Sequence, residues 1–234
     1  MIGLKYNLPY INMDEYIDTD SFLNLSSHIC EGISKSEYHI CDPGSRTEGI
    51  EGYPDLLHPH EAEKYIEAKG NNIFQKRMYL KYMHKVIYPV QGIYIRKQNN
   101  YHNKHLTKEC NNTNNAKHFS KLLDYIYTLP FVEVGRVFIF LQEHFAPLTK
   151  HRDSMDEDYN NNVTDFLWFT IDKNAMRFYI EGDKKHYINS TCAWFNENDL
   201  HGSDGVPEAT FCLRIDGVFD AEFKNRIITK HYSE

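Results

Sequence analysis

An α+β chain with an antiparallel, jelly-roll-type core is predicted by three observations. After Pro130 the sequence turns to short strand-like runs separated by Gly, Asn, Asp and Pro. Before it lie helical and irregular stretches, including one amphipathic helix. At 234 residues the chain has the length of one well-buried domain. The apolar share of 41% against 25% charged is that of a folded chain and excludes disorder, collagen and coiled coil as global descriptions.

In chain order, residues 1–56 read as irregular, with turn signals at Asp42-Pro43-Gly44, Gly49, Gly52 and Pro54. Segments 60–69 and 74–84 have helical composition, and 86–95 reads as two short strands around Pro89 and Gly92. The run 97–117 is almost without apolar residues and reads as a surface loop or lid; its lysines make it locally basic, suited to an anionic substrate. A helix is predicted over about 116–129, because Phe119, Leu122, Leu123 and Ile126 fall at i, i+3, i+4 and i+7 and Pro130 stops it. Strands are predicted at 134–144, 148–154, 164–172, 176–182, 184–189, 191–197 and 209–219. The division is thus one domain over 1–234: an irregular and helical part with a lid (1–130), a jelly-roll core (131–220) and a C-terminal tail (221–234). No internal repeat is visible.

With 33 acidic against 26 basic residues, the net charge of −7 disfavours a broad nucleic-acid or anionic-membrane surface. The longest strongly apolar run, 137–141, is too short to span a bilayer, and the N-terminus has no basic-then-apolar leader pattern. Five cysteines, odd in number, scattered and without a C-x-x-C pair, suggest neither a disulfide framework nor a cysteine zinc site. The expectation is a reduced, cytoplasmic protein without a membrane partner.

Thirteen histidines raise the question of a metal. His151 and Asp153 stand at i and i+2 of a predicted strand, which puts them on one face. His201 follows the strand that carries Trp194 and Phe195. Two imidazoles and one carboxylate on one face of an octahedral ion leave three positions open, as in non-haem Fe(II) oxygenases. About two H-x-[DE] matches are expected by chance in this composition, and one is present, so the surrounding order must carry the assignment.

That order is an amphipathic helix ended by Pro130, the strand GRVFIFLQEH, a turn at Ala146-Pro147, and the H-x-D. Then follow DFLWFTI, the hairpin FYIEGDKKHYIN, AWFNENDLHG with His201, and LRIDGVF. Over about 117–219 it resembles the Fe(II)/2-oxoglutarate-dependent oxygenases, and within them the aspartyl/asparaginyl β-hydroxylase-like branch. The resemblance implies a double-stranded β-helix, cupin-like, in which His151, Asp153 and His201 hold Fe(II). It implies 2-oxoglutarate on two of the open positions and O2 on the third, with succinate and CO2 as co-products of hydroxylating a C–H bond. The substrate implied is a small polar metabolite, such as a free or carrier-bound amino acid, or a peptide side chain. No catalytic group beyond the metal ligands is assigned. The presence of Asp153 favours hydroxylation or desaturation over halogenation.

The far carboxylate of 2-oxoglutarate calls for a cation, best an arginine. Arg214 is the arginine of the last strand and stands thirteen residues after His201, a few more than the family usually has. An insertion at 204–208, around Gly205 and Pro207, restores the register; without it Thr210 or Phe211 takes the place and Arg214 is structural. Trp168 and Thr170, on one face of a strand, are candidate substrate contacts or core residues. Arg152 and Arg177 are candidate anchors for a substrate carboxylate or surface residues, since alternation turns Arg152 away from the metal. Trp194 is a further pocket candidate, and Asn196 either orients a ligand or makes a turn. His58, His60, His102 and His105 lack partners at zinc spacing, and Cys192 and Cys212 read as small buried hydrophobes. The rival readings are a cupin-like metal-binding or sugar-binding module and a metal-dependent isomerase or epimerase.

Overall fold

The structure, a computed structural model, describes residues 8–37, 39–40, 91–97, 107–142, 148–151, 165–171, 177–197, 199–204 and 210–231. The helices predicted at 60–69 and 74–84 lie outside the described residues, as do His58, His60, His102 and His105. Four short strands come first: β1 (Tyr10–Asn12), β2 (His39–Ile40), β3 (Gln91–Lys97) and β4 (Asn111–Asn112). Then come β5 (Phe131–Gln142), β6 (Leu148–His151), β7 (Asp165–Thr170) and β8 (Phe178–Glu181). The last are β9 (Lys185–Tyr187), β10 (Cys192–Phe195), β11 (His201–Ser203) and β12 (Thr210–Phe219).

They form two antiparallel sheets. The larger runs β1-β10-β7-β12-β5-β3-β2, with β4 on β3; the smaller runs β6-β11-β8-β9. From β5 onward the chain passes back and forth between the sheets: β5, β7, β10 and β12 belong to the larger, β6, β8, β9 and β11 to the smaller. This mixed architecture with antiparallel sheets agrees with a jelly roll. The seven strands predicted after Pro130 are all present, and β11 is an eighth, three residues long and without the alternating apolar pattern that marks a strand in sequence.

Three helices accompany the outer side of the larger sheet: α1 (Thr19–Leu23), α2 (Ser26–Ser34) and α3 (Ser120–Ile126). Asp18 caps α1, accepting from the Ser21 N–H at 3.1 Å and its hydroxyl at 2.6 Å. Phe22 of α1 and Tyr125 of α3 meet Phe169 of β7, with ring centroids 4.7 and 6.2 Å apart. The predicted helix over 116–129 is divided. A 3-10 turn at Asn114–His118 precedes α3, because Phe119 between them leaves helical geometry at φ −126°, ψ 31°. Its side chain is nevertheless buried with Leu122, Leu123 and Ile126, so the apolar face is as expected.

Two further expectations change. The described part of the 97–117 run is docked: β4 pairs with β3, and the Thr113 hydroxyl donates to the Tyr94 carbonyl at 2.6 Å. The tail is instead a helix, α4 (Ala221–His231), begun by Asp220, whose side chain accepts from the Phe223 N–H at 2.7 Å, and seated by buried Phe223 and Ile227. Lys224 of α4 pairs with Asp165 of β7 at 2.6 Å. No helix among the described residues is long and apolar enough to cross a membrane.

Phe138 of β5 covers Gly92 of β3. A Cβ built on Gly92 would stand 1.9 Å from the Phe138 Cζ, while the Phe138 ring already lies 4.3 Å, centroid to centroid, from that of Tyr94. Gly92→Ala is expected to lower stability by about 1–3 kcal/mol through overpacking. Urea denaturation of the variant checks this, and an unchanged midpoint would contradict the close approach.

Candidate functional site

The interior between the sheets is defined by register. Thr170, Trp168 and Phe166 of β7 pair across the ladder with Cys212, Arg214 and Asp216 of β12, and Arg214 pairs on its other side with Phe138 of β5. Cross-strand partners share a face. This is the inner face, because the Trp168 ring packs against Phe178 of the smaller sheet, 5.1 Å between centroids. Phe169, one residue out of phase, faces the helices.

His201 begins β11 and points into this interior. Its ring packs 5.3 Å from Phe195 of the larger sheet and 5.7 Å from Phe178, and it is 3% exposed. Nδ1 lies 2.8 Å from the Asp199 carbonyl oxygen. A carbonyl can only accept, so Nδ1 carries the proton and the neutral ring's lone pair is on Nε2. A backbone partner that fixes the tautomer and ring rotation is the arrangement typical of a metal-binding histidine.

The Cα partner of His201 in β6 is His151. The two histidine positions are therefore directly opposed in one ladder, where cross-strand Cβ atoms lie about 5 Å apart on the same face. Asp153 and Arg152 lie outside the described residues, as does the His151 side chain. Among the described residues no group of three His, Cys, Asp or Glu side chains is assembled for a metal. Of the expected ligands the structure describes the side chain of His201 alone, an imidazole in a dry aromatic setting, which is a donor type that suits a divalent transition ion.

The larger sheet contributes a buried charge network. Arg214, 3% exposed, donates from Nε to Asp216 at 2.7 Å and from Nη2 to Glu197, and its guanidinium lies 4.1 Å above the Phe166 ring. Asp216 also accepts from the Arg136 Nε at 2.6 Å. Glu197 and Asp216 are both fully buried. Sequence reasoning singled out Arg214 and missed its partners. Asp216 was readable as the i+2 neighbour on the same face of the strand, whereas Glu197 reaches Arg214 only through the path of the β10–β11 connection.

That connection, 196–200, serves both halves of the site. Glu197 pairs with Arg214 and the Asp199 carbonyl holds His201, while the Asn196 carbonyl accepts the Asp199 N–H at 2.9 Å to close the turn. Of the two roles considered for Asn196, its backbone performs the turn. Trp168 and Thr170 are interior and 2% and 1% exposed. The Trp168 side chain hydrogen-bonds the Cys212 thiol, which burial pushes up to about 12. Burial also raises the Cys192 thiol well above the ordinary range, so both cysteines are inert. Trp194 is buried, and its Nε1 has no hydrogen-bond partner among the described residues.

Arg177 is elsewhere. It precedes Phe178 and so emerges on the opposite, outer face of the smaller sheet, where its guanidinium lies 5.0 Å from the Tyr187 ring and 3.7 Å from Asp204. Lys185 and Tyr187 bind the same Asp204 at 2.7 and 2.6 Å. This outer cluster holds Arg177 away from the interior that His201 faces.

No family model matches the chain, and no curated protein does. Among solved structures, similarity is found to an oxidoreductase of the 2OG-Fe(II) oxygenase family from Burkholderia pseudomallei, at 9% identity and TM-score 0.36, over 56% of this chain and 71% of that one. A prolyl-4-hydroxylase from Pseudomonas putida is similar at 8% identity and TM-score 0.34, over 83% and 100% of the two chains. A prolyl hydroxylase from Trichoplax adhaerens, in complex with a hypoxia inducible factor oxygen degradation domain peptide fragment, is similar at 9% identity and TM-score 0.35, over 93% and 96%. Likeness at this level carries no argument about activity, which must come from the strand order and the site.

Proposed function

We propose that this chain is an Fe(II)/2-oxoglutarate-dependent oxygenase of the aspartyl/asparaginyl β-hydroxylase-like branch, built on a double-stranded β-helix. It hydroxylates a C–H bond of a small polar metabolite or a peptide side chain. The observation that carries this reading is the opposition of His151 and His201 across the β6-β11 ladder, with His201 interior and its Nδ1 proton held by Asp199. The sheet orders β10-β7-β12-β5 and β6-β11-β8-β9, with the chain changing sheet at every step from β5 to β12 except the β8-β9 hairpin, support the double-stranded β-helix.

In this reading His151, Asp153 and His201 hold the metal and Arg214 receives the distal carboxylate of 2-oxoglutarate. With O2, the bound metal and cosubstrate would supply the oxidising power for hydroxylation, releasing succinate and CO2. The chain's own contribution is positioning and dryness. Asp199 keeps the His201 lone pair on Nε2, and Phe178 and Phe195 flank the imidazole and exclude water. Trp168 and Thr170 line the larger-sheet wall as substrate contacts, with Arg152 a further anchor; Arg177 serves only a substrate part that reaches the outer face.

Anaerobic addition of Fe(II) and 2-oxoglutarate is expected to give a weak visible charge-transfer band, and calorimetry to register 2-oxoglutarate binding. Failure of both would overturn the reading. One observation favours a second reading, a metal-dependent isomerase or a cupin-like binding module: Arg214 already holds two carboxylates. Retained metal with neither oxygen consumption nor succinate would establish that alternative.

A further inference from the structure

The N-terminal segment and the C-terminal helix meet at one tyrosine. Tyr16 follows β1, and four side chains of α4 stand around it. Its ring lies 6.3 Å, centroid to centroid, from Phe223 and 6.0 Å from His231, while the Arg226 guanidinium and the Lys230 ammonium each stand 5.6 Å from its centre. The segment held in this way is the one that grips β10. The Met13 N–H donates to the Cys192 carbonyl at 2.9 Å, and the Asp14 carboxylate accepts from the Thr191 and Cys192 N–H groups at 3.1 and 2.7 Å.

His231 closes the contact. Its Nε2 lies 3.1 Å from the Tyr16 hydroxyl oxygen and 4.0 Å from the Glu15 carboxylate, and its side chain is 16% exposed. Burial, and after it the Glu15 charge, raise the Tyr16 hydroxyl above its ordinary range, so it keeps a proton that a neutral imidazole can accept at Nε2. Protonation of the ring removes that lone pair. It also adds a third cation beside Arg226 and Lys230, where the carboxylate at hand, Glu15, is already paired with Lys230. Burial is the largest influence on the ring and Lys230 acts with it; Glu15 and the negative end of the α4 dipole oppose them, and the balance puts the His231 pKa below its ordinary value. A lowered histidine pKa means that the neutral ring is the form that fits. Its contribution is therefore present above about pH 6.5 and is lost as the pH falls below that value. We propose that Tyr16 and His231 form an acid-released clasp: the neutral imidazole fastens the last turn of α4 to the N-terminal segment, and its protonation lets that turn go. The clasp is independent of the oxygenase reading.

The test is amide hydrogen exchange on the full-length protein at about pH 7.5 and about pH 5.5, each corrected for the intrinsic rate, with the amides of α3 as the internal reference. In the wild type, protection over residues 227–231 is expected to fall by ~5-fold or more on acidification while α3 keeps its own. His231→Gln retains a polar side chain that does not titrate, and its last turn is expected to be equally protected at both pH values. Unchanged protection in the wild type overturns the proposal. So does a fall of the same size in His231→Gln, or one shared by α3, which would mark acid loosening of the whole fold. A second measurement needs no variant to fold: the imidazole titration of His231 in the wild type, followed by nuclear magnetic resonance, is expected below pH 6.5, and a midpoint above it overturns the clasp.

Discussion

Asp216→Ala is expected to lower the unfolding free energy by about 3–5 kcal/mol, the range for breaking a buried ion pair from one side. Two interior guanidiniums depend on this carboxylate, Arg136 at 2.6 Å and Arg214 at 2.7 Å, and Asp216 itself is fully buried. Removing it takes a carboxylate from both arginines, beside the aromatic side chains of Phe166, Trp168 and Phe138 on the same face of the sheet. For a chain of this length the loss corresponds to a melting temperature lower by roughly 10 °C. Asp216→Asn keeps one acceptor and is expected to lose less. Thermal and urea unfolding measure both, and an Asp216→Ala midpoint within about 1 kcal/mol of wild type would show that the network is not the sheet's main polar anchor.

The strands were legible because their signal is local. Apolar and turn residues recur at the period of a strand whichever sheet a strand joins, and the runs from 134 to 219 announce themselves in this way. The sheet order is set by long-range pairing, such as Tyr10 of β1 with Phe195 of β10, for which no short window carries a sign. Two of the missed elements fail for specific reasons. β11 is too short to show a period, and α4 has only Phe223 and Ile227 on its buried side, a stripe too sparse to distinguish from a polar tail. Asp220 was the available clue to α4, as a capping residue three before Phe223.

The site divides along the same line. His201 was legible because a histidine just after an aromatic strand stands out, and Arg214 because it is the arginine of the last strand. Glu197 was not, since its meeting with Arg214 depends on the path of a connection and on a register of β12 against β7 that pattern alone leaves open. For Arg177 strand alternation supports the surface alternative, since residue 177 is on the outer face once Phe178 is inner.

His201→Ala is expected to weaken Mn(II) or Fe(II) binding by at least ~100-fold, beyond the range seen when only the orienting partner of a ligand is lost. The fold is expected to survive. Among the described residues the imidazole packs against Phe178 and Phe195 and bonds the Asp199 carbonyl, contacts whose loss costs about 1–3 kcal/mol. Near-ultraviolet circular dichroism should therefore remain close to wild type while metal calorimetry changes. His186→Ala is the matched control, because His186 stands on the edge strand β9, two strands away from His201 in the small sheet, with its ring bonded to Asp183 at 3.0 Å. The pairing of the two variants separates a metal ligand from a histidine that merely packs. A ligand holds its lone pair in a fixed direction, which Asp199 arranges before any ion arrives, so its deletion removes affinity out of proportion to stability. Equal metal affinity in His201→Ala and His186→Ala would mean that the interior histidine is a packing residue, and that the opposition of residues 151 and 201 serves the sheet alone.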